Sequence, residues 1–217
     1  MKTFSFLFPI LAAVTPLVAQ TCTTNPGASV PDGLVSAMAN FTVGDGFITV
    51  SLNNQLSDPK SAGQLLSGLQ FTLASGSSTG TLGSSSANVR RVNRGGSFTD
   101  LGPGSTGWAL DTSNANFLLC ALCTDLGALG PKRLLIGNPN SNTGAYTSAN
   151  ASIAGNKPHN PFTAGTAVFF INVPGVVAGD SVTNATFFFG TAGGASGVPG
   201  VGVAVAGNCG GIVILPQ

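Results

Sequence analysis

The sequence predicts an all-β fold, arranged as an antiparallel two-sheet β-sandwich that is jelly-roll-like, with little helix beyond the N-terminus. Three observations lead to this prediction. The 31 Gly and 13 Pro residues interrupt most windows in which helical periodicity could develop. Between them lie short runs of apolar and β-branched residues, some of which alternate with polar ones. Two late runs, residues 167–173 and 185–189, are apolar at successive positions, as in central strands buried on both faces.

The chain begins with the pattern of a secretory signal peptide. A short positive start at Lys2 is followed by a mostly apolar run over residues 4–19 and then by a polar stretch. We expect cleavage after Ala19, with a cut after Gln20 as the alternative because Leu17 is bulky for its position. The run contains two prolines and is short for a membrane span. The predicted organisation is therefore a signal peptide over residues 1–19 and a single β-sandwich domain over residues 20–217.

Charged residues make up only 7% of the chain, against about 25% in a typical soluble domain. Loss of Lys2 with the leader would leave seven basic and seven acidic side chains, a formal charge of 7 − 7 = 0. A neutral chain creates no strong long-range field, so nucleic acids and anionic membranes are poor candidate partners. The solvated surface must then consist of Ser, Thr, Asn and Gly, which favours a secreted, extracellular or cell-surface location.

The predicted strands follow one another along the chain between turn residues. They cover residues 47–52, 69–73, 81–82, 88–92, 108–110, 117–122, 133–136, 167–173, 185–189, 201–205 and 212–215. The cleanest alternation places Leu69, Phe71 and Leu73 on one face. Residues 81–82 and 88–92 are expected to form a hairpin around the serines at 84–86. Only residues 57–67, with Asp58 and Pro59 near their start, favour a turn or two of helix.

Four cysteines follow the predicted leader, at Cys22, Cys120, Cys123 and Cys209. An even number in an exported chain favours disulfides, and three pairings are possible. We prefer Cys22 with Cys209 and Cys120 with Cys123. A redox Cys-x-x-Cys motif requires a helix N-terminus, which the flanking sequence does not predict, and a four-cysteine zinc site requires a second close pair. We expect no metal and no cofactor.

The candidates for catalysis are few. His159 is the only histidine, and it lies between Pro158 and Pro161. It could serve as a general base, but this needs a nucleophile and an orienting partner, whereas a loop histidine more often stabilises a turn. Residues 76–80 match the Gly-x-Ser-x-Gly pattern, but no helix is predicted after them, as a nucleophile elbow would need. The sequence therefore assigns no catalytic residue.

Two single aromatic residues are candidates for ligand binding. Trp108 and Tyr146 are the only Trp and Tyr, and exposed rings of this kind can stack on a sugar. The alternative is core packing for Trp108 and a turn edge for Tyr146. Arg90, Arg91 and Arg94 form the main basic cluster, which we expect to be a solvated hairpin edge that resists aggregation.

Several segments resemble a group of exported proteins. They are residues 91–93, 97–99, 107–110, 158–162 and 182–191. Together they resemble uncharacterised bacterial exported proteins, many of which are similar to exosortase-associated surface proteins of the PEP-CTERM type. The resemblance spans roughly residues 70–192 and implies a β-sandwich surface or matrix protein, without carrying over any catalytic residue. Residues 1–217 do not contain the Pro-Glu-Pro sorting tail that is typical of that group.

The leading hypothesis is a secreted or cell-surface structural or adhesive protein without catalytic activity. Its expected partners are further copies of itself, the extracellular matrix or glycans, since β proteins can pair edge to edge. The first alternative is an extracellular carbohydrate-binding module that uses Trp108 or Tyr146. The second alternative is a secreted hydrolase that uses His159.

Overall fold

A computed structural model describes residues 17–123, 133–155, 159–191 and 202–215. Most of the predicted leader, as well as Pro158, lies outside these residues. The described residues form fifteen strands and one 3-10 turn. The strands are β1 (Val18–Thr24), β2 (Ser29–Val30), β3 (Gly33–Leu34), β4 (Ala37–Gly44), β5 (Phe47–Asn54), β6 (Leu66–Leu73), β7 (Thr81–Val92), β8 (Phe98–Gly104), β9 (Ala109–Asp111), β10 (Phe117–Cys120), β11 (Leu135–Ile136), β12 (Phe162–Asn172), β13 (Val182–Phe189), β14 (Val203–Cys209) and β15 (Val213–Ile214). The 3-10 turn, Ala62–Gln64, lies inside the segment predicted to be helical.

The main sheet closes on itself. Seven strands pair in the order β12-β5-β4-β1-β14-β13-β6, and β11 pairs with both β12 and β6. These eight strands of the described chain form a closed barrel. The all-β class is therefore confirmed, but one continuous sheet replaces the two separate sheets of the predicted sandwich. The difference depends on the two residues of β11, because a strand this short carries no sequence pattern that identifies its distant partners.

Two flanking hairpins extend the barrel. β7 pairs with the outer edge of β12 and with β8, while β10 pairs with β6 and with β9. The predicted hairpin around the serines at 84–86 is wrong, because β7 runs without interruption from Thr81 to Val92. Ser84 and Ser86 lie opposite Phe170 and Val168 in the β12 ladder. Two of these serines thus take the solvent-facing positions of a strand, where a polar residue fits as well as in a turn.

Phenylalanine rings fill much of the barrel interior. The rings of Phe41 and Phe71 are 5.0 Å apart, and the rings of Phe71 and Phe117 are 5.1 Å apart. The predicted alternation in β6 is confirmed, since Leu69, Phe71 and Leu73 are buried. Aromatic pairs at these separations contribute about 0.5–1.5 kcal/mol each beyond the burial of apolar area.

A buried side chain, that of Gln20, completes the ladder where β14 leaves β1. β14 pairs with β1 from Cys22 to Thr24, and β15 pairs with Val18 and Ala19 further along. Between these stretches, the Gln20 amide donates to the carbonyl of Val182 at 2.9 Å and accepts from the Val182 N–H at 2.7 Å. Cleavage after Ala19 would keep Gln20 but would remove Val18 and Ala19, the two β1 residues that pair with β15. The cleavage site itself stays a prediction.

The preferred long-range disulfide is confirmed. Cys22 and Cys209 are direct partners in the β1–β14 ladder and are joined through their sulfurs. Cys120 and Cys123 are joined locally, at the end of β10. The first bond therefore ties the first strand of the barrel to one of its last.

Within the described ranges, no helix has both the length and the apolar character that a membrane crossing would require.

Candidate functional site

Trp108 lies in the core. Its side chain is 4% exposed and its ring lies 5.3 Å from that of Phe169. The indole N–H donates to the carbonyl of Arg133 at 2.7 Å. Both the apolar ring and its polar group therefore have partners inside the protein, so this ring is not available to stack on a sugar.

Tyr146 is also buried, with 1% exposure. Its hydroxyl donates to the carbonyl of Gly137 at 2.8 Å and accepts from the Arg90 guanidinium at 3.1 Å. The Phe98 ring packs against it edge-on at 5.7 Å. Burial raises the pKa of the Tyr146 hydroxyl, even though the neighbouring Arg90 acts in the opposite direction. The side chain anchors its loop to the β7–β8 hairpin and presents no ring to solvent.

Arg90 belongs to this buried network, which corrects part of the prediction of a solvated basic edge. Its guanidinium donates twice to the Asp100 carboxylate, at 2.6 and 2.8 Å, and lies 3.9 Å from the centre of the Phe98 ring. The Arg90 side chain is only 13% exposed, whereas Arg91 and Arg94 are exposed as predicted. The hydrogen bond from Arg90 lowers the pKa of Asp100. Arg90 therefore serves the packing of the hairpin.

His159 lies in the loop before β12 and is half-buried. Burial lowers the pKa of its imidazole. Within the described part of the chain, its ring makes no hydrogen bond to a Ser, Thr or Asp side chain. Its neighbour Asn160 clamps the segment to β7, donating to the carbonyl of Val92 at 2.6 Å and accepting from the Val92 N–H at 3.1 Å. The geometry holds a loop in place and offers no nucleophile–base pair.

The Gly-x-Ser-x-Gly segment forms the loop between β6 and β7. Ser77 accepts from the Ser75 hydroxyl at 3.1 Å, and β7 begins directly after the motif, at Thr81. No helix follows Ser78, the central serine of the motif, so the geometry of a nucleophile elbow is absent from this part of the chain. Across the described ranges, no three His, Cys, Asp or Glu side chains group closely enough to hold a metal ion.

A broad outward surface lies on β1, β4, β5, β12 and the first half of β7. We call it the neutral face. Its residues are Thr21, Thr23, Met38, Asn40, Thr42, Phe47, Thr49, Ser51, Asn53, Ser84, Ser86, Thr166, Val168, Phe170 and Asn172, all partly or fully exposed. None of them is charged. Hydroxyl and amide groups make up most of the set.

Strand register arranges these side chains in rows. One row contains Thr21, Asn40, Ser51, Val168 and Ser86, which are successive partners across the five strands. Strands lie about 4.8 Å apart and residues on one face repeat every 6–7 Å along a strand. The three rows that cross β4 at Met38, Asn40 and Thr42 thus cover roughly 19 by 13 Å by the same spacings.

Several polar groups on the neutral face are available for binding. Among the described residues, the hydroxyls of Thr42, Thr49 and Ser51 have no protein hydrogen-bond partner. Phe170, by contrast, is an apolar element of the face. It is 37% exposed and its ring stacks on that of Phe47 at 5.4 Å.

Sequence reasoning missed the exposed aromatic. The apolar run over residues 167–173 predicted a strand buried on both faces, but Val168 and Phe170 face outward at 36% and 37% exposure. Burial in β12 alternates along the strand, with Ala167, Phe169 and Ile171 inside. The available signal was that the neighbouring strands are rich in serine and threonine. Polar residues on those strands indicate a solvent-facing surface, to which the outer face of β12 also belongs.

The neutral face can form many hydrogen bonds to uncharged groups and can pack one aromatic ring against an apolar surface. It carries no acid, base or nucleophile–base pair among its described side chains. No protein-family model matches this sequence, and neither a curated protein nor a solved structure is significantly similar to it.

Proposed function

We propose that this protein is a secreted or cell-surface adhesive protein, without catalytic activity, that binds neutral polysaccharide surfaces through its neutral face. The observation that carries the proposal is a five-strand surface of hydroxyl and amide groups without charge, on which Phe170 is exposed. This joins the leading hypothesis to a glycan ligand, but through residues other than Trp108 and Tyr146.

The chemistry of the neutral face suits a polyhydroxylated partner. Each Ser or Thr hydroxyl can donate one hydrogen bond and accept two, and each Asn amide can do both. A neutral polysaccharide offers the same groups at high density. The exposed ring of Phe170 can pack against the apolar face of a sugar, as aromatic side chains do at interfaces. Phosphate-rich partners would require Lys or Arg side chains on this surface.

Edge-to-edge self-association finds less support. A closed barrel removes the free strand edges on which such pairing depends. The outer strands of the flanking hairpins, β8 and β9, keep one unpaired side each, but β8 contains Pro103 and Asp100, which both disfavour further pairing.

An extracellular location is part of the proposal. It is supported by the leader pattern over residues 1–19, by the resemblance to exported surface proteins and by the Cys22–Cys209 bond. Disulfides of this kind form and persist in oxidising compartments.

Adsorption of the purified, secreted protein to insoluble cellulose and chitin tests the proposal. The double variant Thr42→Val/Thr49→Val removes two hydroxyls but keeps β-branched side chains, and Phe170→Thr removes the exposed ring. Thr99→Val is the matched control, because Thr99 is an exposed strand residue on β8, outside the neutral face. We expect both face variants to lose adsorption several-fold and the control to retain it. Failure of the wild-type protein to adsorb to either polymer, or equal adsorption of all variants, would contradict the proposal.

A further inference from the structure

A pocket of about 380 Å³ lies at one end of the barrel, away from the neutral face. It is bounded by the β2–β3 turn, the 3-10 turn, the loop at Asn150 and the end of β13. The lining side chains that matter here are Pro31, Asp32, Ser61, Asn150, Thr191 and Val203. The volume falls in the range of about 300–1,000 Å³ that is usual for small-molecule sites.

Two polar side chains of the pocket are held in place by the surrounding loops. The Ser61 hydroxyl donates to Asp32 Oδ1 at 2.8 Å. Asn150 Oδ1 accepts from the Ser152 N–H at 2.8 Å, and the Ser152 hydroxyl accepts from the Ala62 N–H at 2.8 Å. Asp32 and Asn150 are therefore connected to the same turn and need little reorganisation to bind a ligand.

Each of these side chains keeps a second polar atom without a partner. Asp32 Oδ2 and Asn150 Nδ2 make no hydrogen bond to any other residue that the structure describes. Asp32 also forms no ion pair there, since the ion pair found among those residues joins Arg90 to Asp100. The pocket thus offers one free acceptor and one free donor, which together match the two hydrogen-bonding roles of alcohol groups.

Two glycines allow the segments that line the pocket to approach each other closely. A Cβ on Gly63 would collide with the Asp32 carboxylate, and a Cβ on Gly190 would lie 3.1 Å from the Cα of Gly63. Gly190 also has a φ of +81°, which side chains disfavour. Beside these backbone segments, Pro31 and Val203 give the pocket an apolar part that is open to solvent.

We infer that this pocket binds a single neutral saccharide unit. One ligand hydroxyl donates to Asp32 Oδ2, and another accepts from Asn150 Nδ2, while the apolar face of the ring packs against Pro31 and Val203. An anionic ligand is disfavoured because no cationic side chain of the described residues pairs with the Asp32 carboxylate. The inference is independent of the neutral face, which lies on other strands and would bind an extended surface.

Saturation-transfer NMR with methyl β-glucoside, methyl β-galactoside, methyl α-mannoside and N-acetylglucosamine tests this site. Asp32→Asn removes the charge with almost no change of shape, and Asn150→Asp replaces the free donor while keeping the oxygen that binds Ser152. Asp111→Asn, on β9, is the control for a matched loss of charge. Residues 150–152 match the Asn-x-Ser/Thr acceptor pattern for glycosylation, so the protein is expressed in bacteria, which keeps Asn150 unmodified. Thermal unfolding shows that each variant is folded.

We expect at least one glycoside to bind the wild-type protein and the control, and to bind Asp32→Asn and Asn150→Asp roughly tenfold more weakly, as for the loss of a hydrogen bond to a charged or buried group. If one variant does not fold, Thr191→Val reports on the same pocket. The inference is overturned if no glycoside binds at millimolar concentration or if binding is the same in all variants. It is also overturned if ethanolamine, a small cation that could pair with the Asp32 carboxylate, binds and no neutral glycoside does. Adsorption to polysaccharide by the Asp32→Asn variant should stay unchanged, which separates this site from the neutral face.

Discussion

Removal of the Cys22–Cys209 bond should destabilise the protein far more than removal of the local bond. The two cysteines are 187 positions apart in sequence, so the bond closes a loop that includes almost the whole barrel. In the chain-entropy model, a loop of this length contributes about 5 kcal/mol at 25 °C, as an upper figure. The same expression gives about 2 kcal/mol for the Cys120–Cys123 loop, whose separation is 3.

The assay is equilibrium unfolding in guanidinium chloride, followed by tryptophan fluorescence because Trp108 is buried. The variant Cys22→Ala/Cys209→Ala is compared with Cys120→Ala/Cys123→Ala, which serves as the matched control. Alanine suits position 22 because the Cys22 side chain is completely buried. We predict that the free energy of unfolding falls by about 3 kcal/mol more in the first variant than in the second. Equal losses in the two variants would refute the reasoning, as would a long-loop variant as stable as the wild type.

Three further predictions concern the polar side chains of Tyr146, Asp100 and His159. Tyr146→Phe should lower the free energy of unfolding by about 1–3 kcal/mol, because the carbonyl of Gly137 loses its donor; an unchanged denaturation midpoint would contradict this. Because Arg90 lowers the pKa of Asp100, the pair stabilises the fold above the unfolded pKa of about 4 and loses this contribution as pH falls through the folded value. Asp100→Asn should therefore reduce the loss of stability between pH 5 and pH 2, by under about 1 kcal/mol since the carboxylate is partly exposed, and an unaltered acid profile in urea titrations would count against it. Burial lowers the pKa of His159, so the folded protein favours the neutral imidazole and the free energy of unfolding decreases as pH falls below about 6.5. His159→Asn should therefore reduce the dependence of the free energy of unfolding on pH in this range. The same pH dependence in the variant and the wild type would show that other groups cause it.

Local patterns in the sequence predicted the elements that depend on local physics. The alternation at Leu69, Phe71 and Leu73 identifies the buried face of β6, because successive side chains of a strand point to opposite sides. The preferred pairing of Cys22 with Cys209 is also found, and it joins strands that are neighbours in the barrel.

Features that depend on distant pairing could not be predicted. Barrel closure requires Leu135 and Ile136 to pair with both β12 and β6, and two residues carry no register information. The outward position of Phe170 depends on nothing covering that face of β12, which an apolar run does not reveal. Asp32 and Asn150 meet in one pocket only because separate loops converge on the 3-10 turn.

The most direct measurement of polysaccharide binding by the neutral face is amide chemical-shift mapping. The isotope-labelled protein is titrated with a soluble oligosaccharide cut from the polymer that adsorbs it. We predict that the largest shifts occur at Asn40, Thr49, Ser51 and Phe170, and that they saturate together. Shifts confined to residues outside the five strands of the neutral face, or no shifts at millimolar ligand, would contradict the proposed function.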